Sequence, residues 1–197
     1  MNKILIIVSS LAVLIAIMIH NSVKVGNENN VIDLREVANM HIEDKDEGGY
    51  LTNVNDAELE LSIKYPGAAI KVKECTNKAL LKTYELFESK SAAKGNGDAF
   101  RHCYWNILMV KYIGLELATE FANAHEYNSP DGVDKEMDLS NNQKAREWAL
   151  NLLDASDDEI VEFVLSRVEY GDLVRIVKQN GVEVLVPTDC DERIELD

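Results

Sequence analysis

The stretch DAFRHCYWNILMVKYIGLELATEFANAHE, residues 98–126, is the part of the chain around which the rest is organised. From Asp98 to Tyr112 its apolar residues recur at helical spacing. Gly114 interrupts the run, as expected of a kink or a close helix contact, and the helix is expected to continue from Leu115 to Glu126. Working downstream, Tyr127–Gly132 carries Asn-Ser-Pro-Asp-Gly and reads as a loop. A further long helix is predicted from Val133 or Asp134 to about Leu153, with Met137, Ala145, Trp148, Ala149 and Leu152 as its core positions. Ser156-Asp-Asp-Glu159 forms a capping box that opens another helix to about Val168, with Gly171 ending it.

Upstream, Asn55-Asp-Ala-Glu58 is a second capping box, and the helix it opens stops at Pro66. Pro66 suits the first turn of the next helix. That helix is predicted to run to about Ser89, with Ala69, Val72, Thr76, Ala79, Leu80, Tyr84 and Phe87 facing inward. Ala92–Gly97 reads as a turn. The last segment changes period. LVRIVKQNGVEVLV, residues 173–186, joins two β-branched runs through Asn180-Gly181, the strongest short hairpin signal. The fold class is therefore mainly α: a helical bundle-like domain with a small C-terminal β-hairpin, preceded by an N-terminal hydrophobic segment.

That segment sets the expected organisation: 1–24 a signal-anchor or transmembrane segment, 25–54 a polar linker, and 55–197 the helical domain. Ile4–Ile19 is uncharged, and extension through Val23 gives about 20 residues, enough to span a bilayer. No small-x-small cleavage site follows, so we expect an uncleaved membrane anchor with the domain extracytoplasmic; secretion after cleavage is the alternative. The net charge of −15 opposes nonspecific nucleic-acid binding, which works by exchanging counterions for Lys and Arg. Cys75, Cys103 and Cys190 form no CxxC and exclude a Cys-rich metal site. Their odd number allows one disulfide and one free thiol, or buried apolar roles.

The chemistry gathers in three blocks. Asp98 and His102 are four apart and share a helix face, so a carboxylate can hold one imidazole nitrogen and leave the other for a metal or a proton. Asn106 extends that face, while Arg101 and Trp105 occupy the neighbouring one. His125 and Glu126 are adjacent and point about 100° apart on a helix. Asp138, Asn141 and Asn142 lie within one turn of each other, and Arg146 follows one turn on. Two consecutive Asn in mid-helix call for a buried network or ligand contacts. The bland readings are a helix cap for Asp98, a satisfied core histidine for His102 and a helix-terminal histidine for His125. Antiparallel packing of these helices can bring the blocks together.

The blocks DAFRHCYWN, AHE and MDLSNNQKAR resemble the signature of an uncharacterised bacterial domain family found in exported, wall-associated and toxin-like proteins. Its pattern is N/D-A-x-R-H-x-x-W-N, D/N-A-H-E and M-D-L-x-N-N. The matching positions are Asp98, Ala99, Arg101, His102, Trp105 and Asn106, then Ala124, His125 and Glu126, then Met137, Asp138, Leu139, Asn141, Asn142 and Arg146. Lys144-Ala145 departs from the Gly expected beside Arg146. The resemblance implies an exported helical domain with a polar His/Asp/Asn centre and supplies no reaction.

From residue types, the first expectation is a metal-dependent hydrolase of phosphodiester or phospholipid substrates. His102, His125 and Asp138 would ligate one divalent ion, zinc favoured, with a phospholipase-like His/Asp pair using calcium as a variant that no calcium-loop pattern supports. Glu126 would act as general base. Arg101 or Arg146 would hold the anion, with Asn106, Asn141 and Asn142 orienting the rest. The second expectation is a noncatalytic surface interaction module, with a small molecule, lipid or protein as partner, whose polar cluster is a buried structural network.

Overall fold

The computed structural model describes residues 54–189 and Asp191. The chain falls into two units, Met1–Pro66 and Gly67–Asp197. The expected anchor, most of the linker and Cys190 lie outside the described residues. Among those described, no helix is long and apolar enough to cross a membrane.

In the first unit, α1 spans Asp56–Lys64 and opens on the predicted capping box. Glu58 N–H donates to Asn55 Oδ1 at 3.0 Å, and the Glu58 carboxylate accepts from Asn55 N–H at 2.9 Å. Two otherwise orphaned donors are thereby satisfied.

The second unit is built around α3, Asn96–Ile113, with α2 at Pro66–Leu86, α4 at Leu115–His125, α5 at Val133–Ala149 and α6 at Asp157–Glu169. Every residue of α3 from Asn96 to Val110 is buried. Such a helix has no polar face to give to water, so its Asp, Arg, His and Asn must find partners inside the protein. Helices α4, α5 and α6 and the hairpin all pack on it. On α2, Phe87 follows the last turn and meets Phe100 at 5.4 Å between ring centroids. Ala69, Ala79 and Leu80 of α2, and Phe87 just beyond it, are buried as predicted, and the face departs from the prediction at Tyr84. Tyr84 is exposed and Thr83 is buried, because the Thr83 hydroxyl donates back to Ala79 O at 2.8 Å and can lie in the core without an unmet polar group.

Gly114 does more than kink one helix. Its φ of 82° and ψ of 160° end α3 and begin α4, and a Cβ there would meet nothing within 4 Å. It serves the left-handed turn, not a close helix contact. The capping box of α6 forms as expected, with Glu159 N–H donating to Ser156 Oγ at 3.2 Å, and Gly171 at φ 73° follows the helix end. The hairpin pairs β1, Val174–Gln179, with β2, Val182–Pro187, in antiparallel register through Gln179↔Val182 and Ile176↔Leu185. Asn180 and Gly181 take φ of 53° and 84°, the positive pair that a type I′ turn requires.

The hairpin is bound to the helices by polar clamps. Asn141 of α5 donates from Nδ2 to Val174 O at 2.8 Å and accepts from Val174 N–H at 2.9 Å, pairing one amide with both backbone groups of the strand start. Ile176 N–H donates to Lys94 O at 2.7 Å. After β2, Asp189 Oδ1 accepts from Asn96 Nδ2 at 2.8 Å at the start of α3. Cys75 and Cys103 are buried free thiols, so neither contributes to a disulfide.

Candidate metal centre

Helix α3 supplies Asp98, Arg101, His102, Trp105 and Asn106; the end of α4 supplies His125 and Glu126; α5 supplies Asp138, Asn142 and Arg146. The three sequence blocks therefore meet on one side of α3. In the first turn of that helix, whose N-cap is Gly95 and not Asp98, Asp98 Oδ2 accepts from Lys94 N–H at 2.5 Å. The same carboxylate pairs through Oδ1 with Arg101 Nη2. Arg101 Nη1 donates to Ala92 O at 2.7 Å. Asp98 and Arg101 are both buried, a geometry in which loss of either partner strands the other's charge.

His102 lies at the junction. Its Nε2 is 3.3 Å from Asp138 Oδ1 and 3.5 Å from Asp98 Oδ1, and Arg101 Nη2 reaches it at 3.2 Å. Its Nδ1 faces Asn142 Oδ1 at 3.3 Å. The nitrogen opposite the metal face is thus held by Asn142, where the helix spacing pointed to Asp98. Burial, then the Arg101 charge and then His125, push the imidazole pKa well below the ordinary value. The ring is neutral at physiological pH.

Asp98, His102 and Asp138 each bring one ligand atom to within 4.8 Å of the others. His125, placed with His102 and Asp138 by the sequence, is not in that compact group. Its ring centroid lies 6.4 Å from His102 and 5.3 Å from Trp105, on the half-buried edge of the centre. Asp98 enters the group instead. Its four-residue spacing from His102 was the available signal.

Around this group stand buried polar atoms without a hydrogen-bond partner among the described residues: Trp105 Nε1, Glu126 Oε1, Asp138 Oδ1 and Asn142 Nδ2. Glu126 is 3% exposed, and its other oxygen accepts from the Ser129 hydroxyl at 3.0 Å. Ser129, in the loop after α4, was invisible to motif reading. Burial raises the pKa of Asp98 and of Glu126. Asp138 is raised to about 8, by burial first and then by the Asp98 and Glu126 charges. Three carboxyl groups and an imidazole thus share a space with Arg101 as their nearest guanidinium. Buried acids in excess of cations hold either protons or a metal ion.

Two distances bear on a metal. Tetrahedral zinc with bonds of about 2.0–2.1 Å sets neighbouring ligand atoms about 3.3 Å apart. The two Nε2-to-carboxylate distances match that edge. A cation would take the lone pair that Arg101 now touches, leaving the guanidinium on Asp98 and Ala92 O. The donor set of one imidazole and two carboxylates also admits manganese or iron.

The remaining predicted residues form a supporting layer. Arg146 Nη1 donates to Asn106 Oδ1 at 3.0 Å. Asn106 Nδ2 donates to Asn142 Oδ1 at 2.7 Å and to His102 O at 3.0 Å. Asn141 belongs to the hairpin clamp and takes no part in the centre.

A helical domain with a buried His/carboxylate centre is the class that fold and geometry define. The chain belongs to the family described as "Domain of unknown function (DUF6973)", whose family model matches residues 59–172. That span contains every residue of the centre and ends just before the hairpin. No curated protein matches the chain, and no solved structure does.

Proposed function

We propose that the centre binds one divalent cation and that the protein is a metal-dependent hydrolase acting on phosphodiester or phospholipid substrates from an extracytoplasmic, membrane-anchored position. One observation carries the metal reading. The Nε2 lone pair of His102 faces Asp98 and Asp138 at ligand-edge distances, with Glu126 and Asp138 each offering a buried oxygen that has no hydrogen-bond donor. Bound there, a divalent ion supplies Lewis acidity that lowers the pKa of water and polarises a phosphoryl oxygen. Asp138 and His102 would hold it, with Asp98 as third ligand or as the anchor of Arg101.

Glu126 suits the role of proton acceptor, because burial raises its pKa toward the working range of a general base. Trp105 Nε1–H and Asn142 Nδ2–H are donors without acceptors, as a site for anion oxygens needs. His125 lies at the more open edge, where substrate would enter. Arg101 is committed to Asp98 and Ala92 O, so Arg146, half-buried at the other side of Asn106, is the better anion holder of the two. The anchor part of the proposal is supported by the uncharged run Ile4–Ile19.

The near-complete burial of Asp98, His102 and Glu126 favours a second reading, the noncatalytic module with a structural polar network. Elemental analysis separates the two. Protein purified without chelator should carry about one equivalent of zinc, manganese or iron per chain, lost in folded His102→Ala and Asp138→Ala variants. The wild type should hydrolyse a chromogenic phosphodiester, and Glu126→Gln should abolish turnover while keeping the metal. A metal-free wild type that takes up none of these ions on reconstitution refutes the metal centre and leaves the structural network.

A further inference from the structure

The placement of the His102 ring proton follows from groups that cannot reverse their polarity. A guanidinium only donates, and a backbone carbonyl only accepts. Arg146 Nη1 donates to Asn106 at 3.0 Å, so the atom it meets is the amide oxygen. The His102 carbonyl, 3.0 Å from the other end of Asn106, demands an N–H there. Both contacts orient Asn106 the same way. Its second N–H is then directed at Asn142, 2.7 Å away, which must answer with its oxygen. That oxygen also meets His102 Nδ1 at 3.3 Å. A carbonyl oxygen has only lone pairs, so Nδ1 carries the proton. On the far side of the ring, Arg101 Nη2 donates toward Nε2 at 3.2 Å, which leaves the lone pair there.

We propose that Arg146, Asn106 and Asn142 are a positioning relay that holds His102 in its Nδ1–H tautomer and turns the Nε2 lone pair onto Asp98 and Asp138. Asn106 and Asn142 are 0% exposed, so bulk water cannot stand in for a broken link. Reversal requires both amides to flip, and each flip leaves buried groups unmatched. The relay also works against solution chemistry, since a histidine in water favours the Nε2–H tautomer. It goes beyond the metal reading, because the tautomer is set in the metal-free protein by neutral amides and two arginines.

The test is nitrogen NMR of the full chain, labelled at its histidine rings and kept metal-free with chelator at neutral pH. The chain has four histidines, and His102→Gln assigns the signal by its loss. The expected spectrum has a protonated Nδ1 and an unprotonated Nε2 for His102. Its Nδ1–H should be protected from exchange and close to the Asn106 side-chain amide protons. A ring protonated at Nε2, or a rapidly exchanging Nδ1–H, overturns the proposal without any variant. Asn106→Asp replaces the relay's donor with an oxygen, so Asn142 must turn its N–H toward His102, and the population should shift to Nε2–H. Asn142→Leu removes the acceptor and should shift it the same way. An unchanged tautomer in either folded variant overturns the relay and assigns the tautomer to Arg101 alone. Because no metal is present, a failed metal analysis leaves this outcome standing on its own.

Discussion

Replacing Asp138 by Asn should stabilise the metal-free protein at neutral and alkaline pH while abolishing uptake of a divalent ion at the proposed centre. Folding carries the Asp138 pKa from the ordinary 3.8 to about 8. Between those values the folded chain holds a proton that the unfolded chain has lost. Stability therefore falls as pH rises through this interval and levels off above about 8. His102 has the opposite sign: its pKa is lowered from 6.5, so its penalty appears only as pH falls below that value. The window from 6.5 to about 8 is left to the acids. Asp98 and Glu126 share the direction of Asp138, and subtracting wild type from variant cancels them to first order.

Raising the pKa from 3.8 to about 8, at ~1.4 kcal/mol per tenfold change in acidity, sets a ceiling of about 6 kcal/mol. The Asp138 side chain is 17% exposed, and rearrangement of charge and solvent brings the expected gain to about 2 kcal/mol. In a chain of this size that is a rise of about 4–8 °C in Tm. The Asn amide also supplies an N–H that can face Nε2 of His102. The assay is thermal unfolding with chelator, wild type against Asp138→Asn, at several pH values between 6 and about 9. About half of the full difference should already be present at pH 6, and it should grow with pH and reach a plateau above about 8. A variant that is less stable at the alkaline end, or a difference independent of pH, refutes the charge-excess reasoning. Added zinc or manganese should reverse the order, because a cation binding only the folded wild type stabilises it by mass action.

Arg101→Met should destabilise the protein by about 3–5 kcal/mol in denaturant unfolding, since it strands the buried Asp98 carboxylate; Asp98→Asn in the same chain should recover much of the loss, and no recovery refutes the pairing as the cause. Asn141→Ala leaves Val174 N–H and C=O without their side-chain partner. It should cost about 2–4 kcal/mol and speed amide exchange in β1 ahead of α3; uniform exchange through both elements refutes a local clamp.

Elements governed by local chemistry were legible in the sequence. The Asn55 and Ser156 capping boxes, the Asn180-Gly181 turn and the helical class each rest on residues within a few positions of one another. Gly114 was read as an interruption, but its φ of 82° separates two helices, which a one-letter pattern does not distinguish from a kink. On α2 most of the predicted face is buried, and the burial of Thr83 where Tyr84 was expected goes with a hydroxyl that folds back on its own helix. At the centre, the motif blocks marked the residues that meet. What they could not fix was which atom faces which. Asn142 holds the nitrogen assigned to Asp98 because α5 crosses α3 at that level, and His125 lies on Trp105 because α4 ends there. Such facts depend on rigid-body packing between helices, which spacing along one helix does not encode. The two adjacent asparagines were correctly marked as needing partners, but they serve different structures, Asn141 the hairpin and Asn142 the histidine.

The hairpin clamp has a consequence for the order in which the chain folds. Asn96 and Asp189 are 93 positions apart, and Asn141 and Val174 are 33 apart. Closing loops of that length costs entropy before any contact repays it. The start of α3, where Asp98 and Arg101 are set, is thus tied to a segment synthesised long after it. Until residues 174–189 arrive, Asn141 and Asn96 hold open hydrogen-bonding groups beside a helix that is otherwise ready to be buried. A fragment ending at Asp172 contains every group of the centre and lacks the strand that fastens it, so the centre of this chain is completed late in its synthesis.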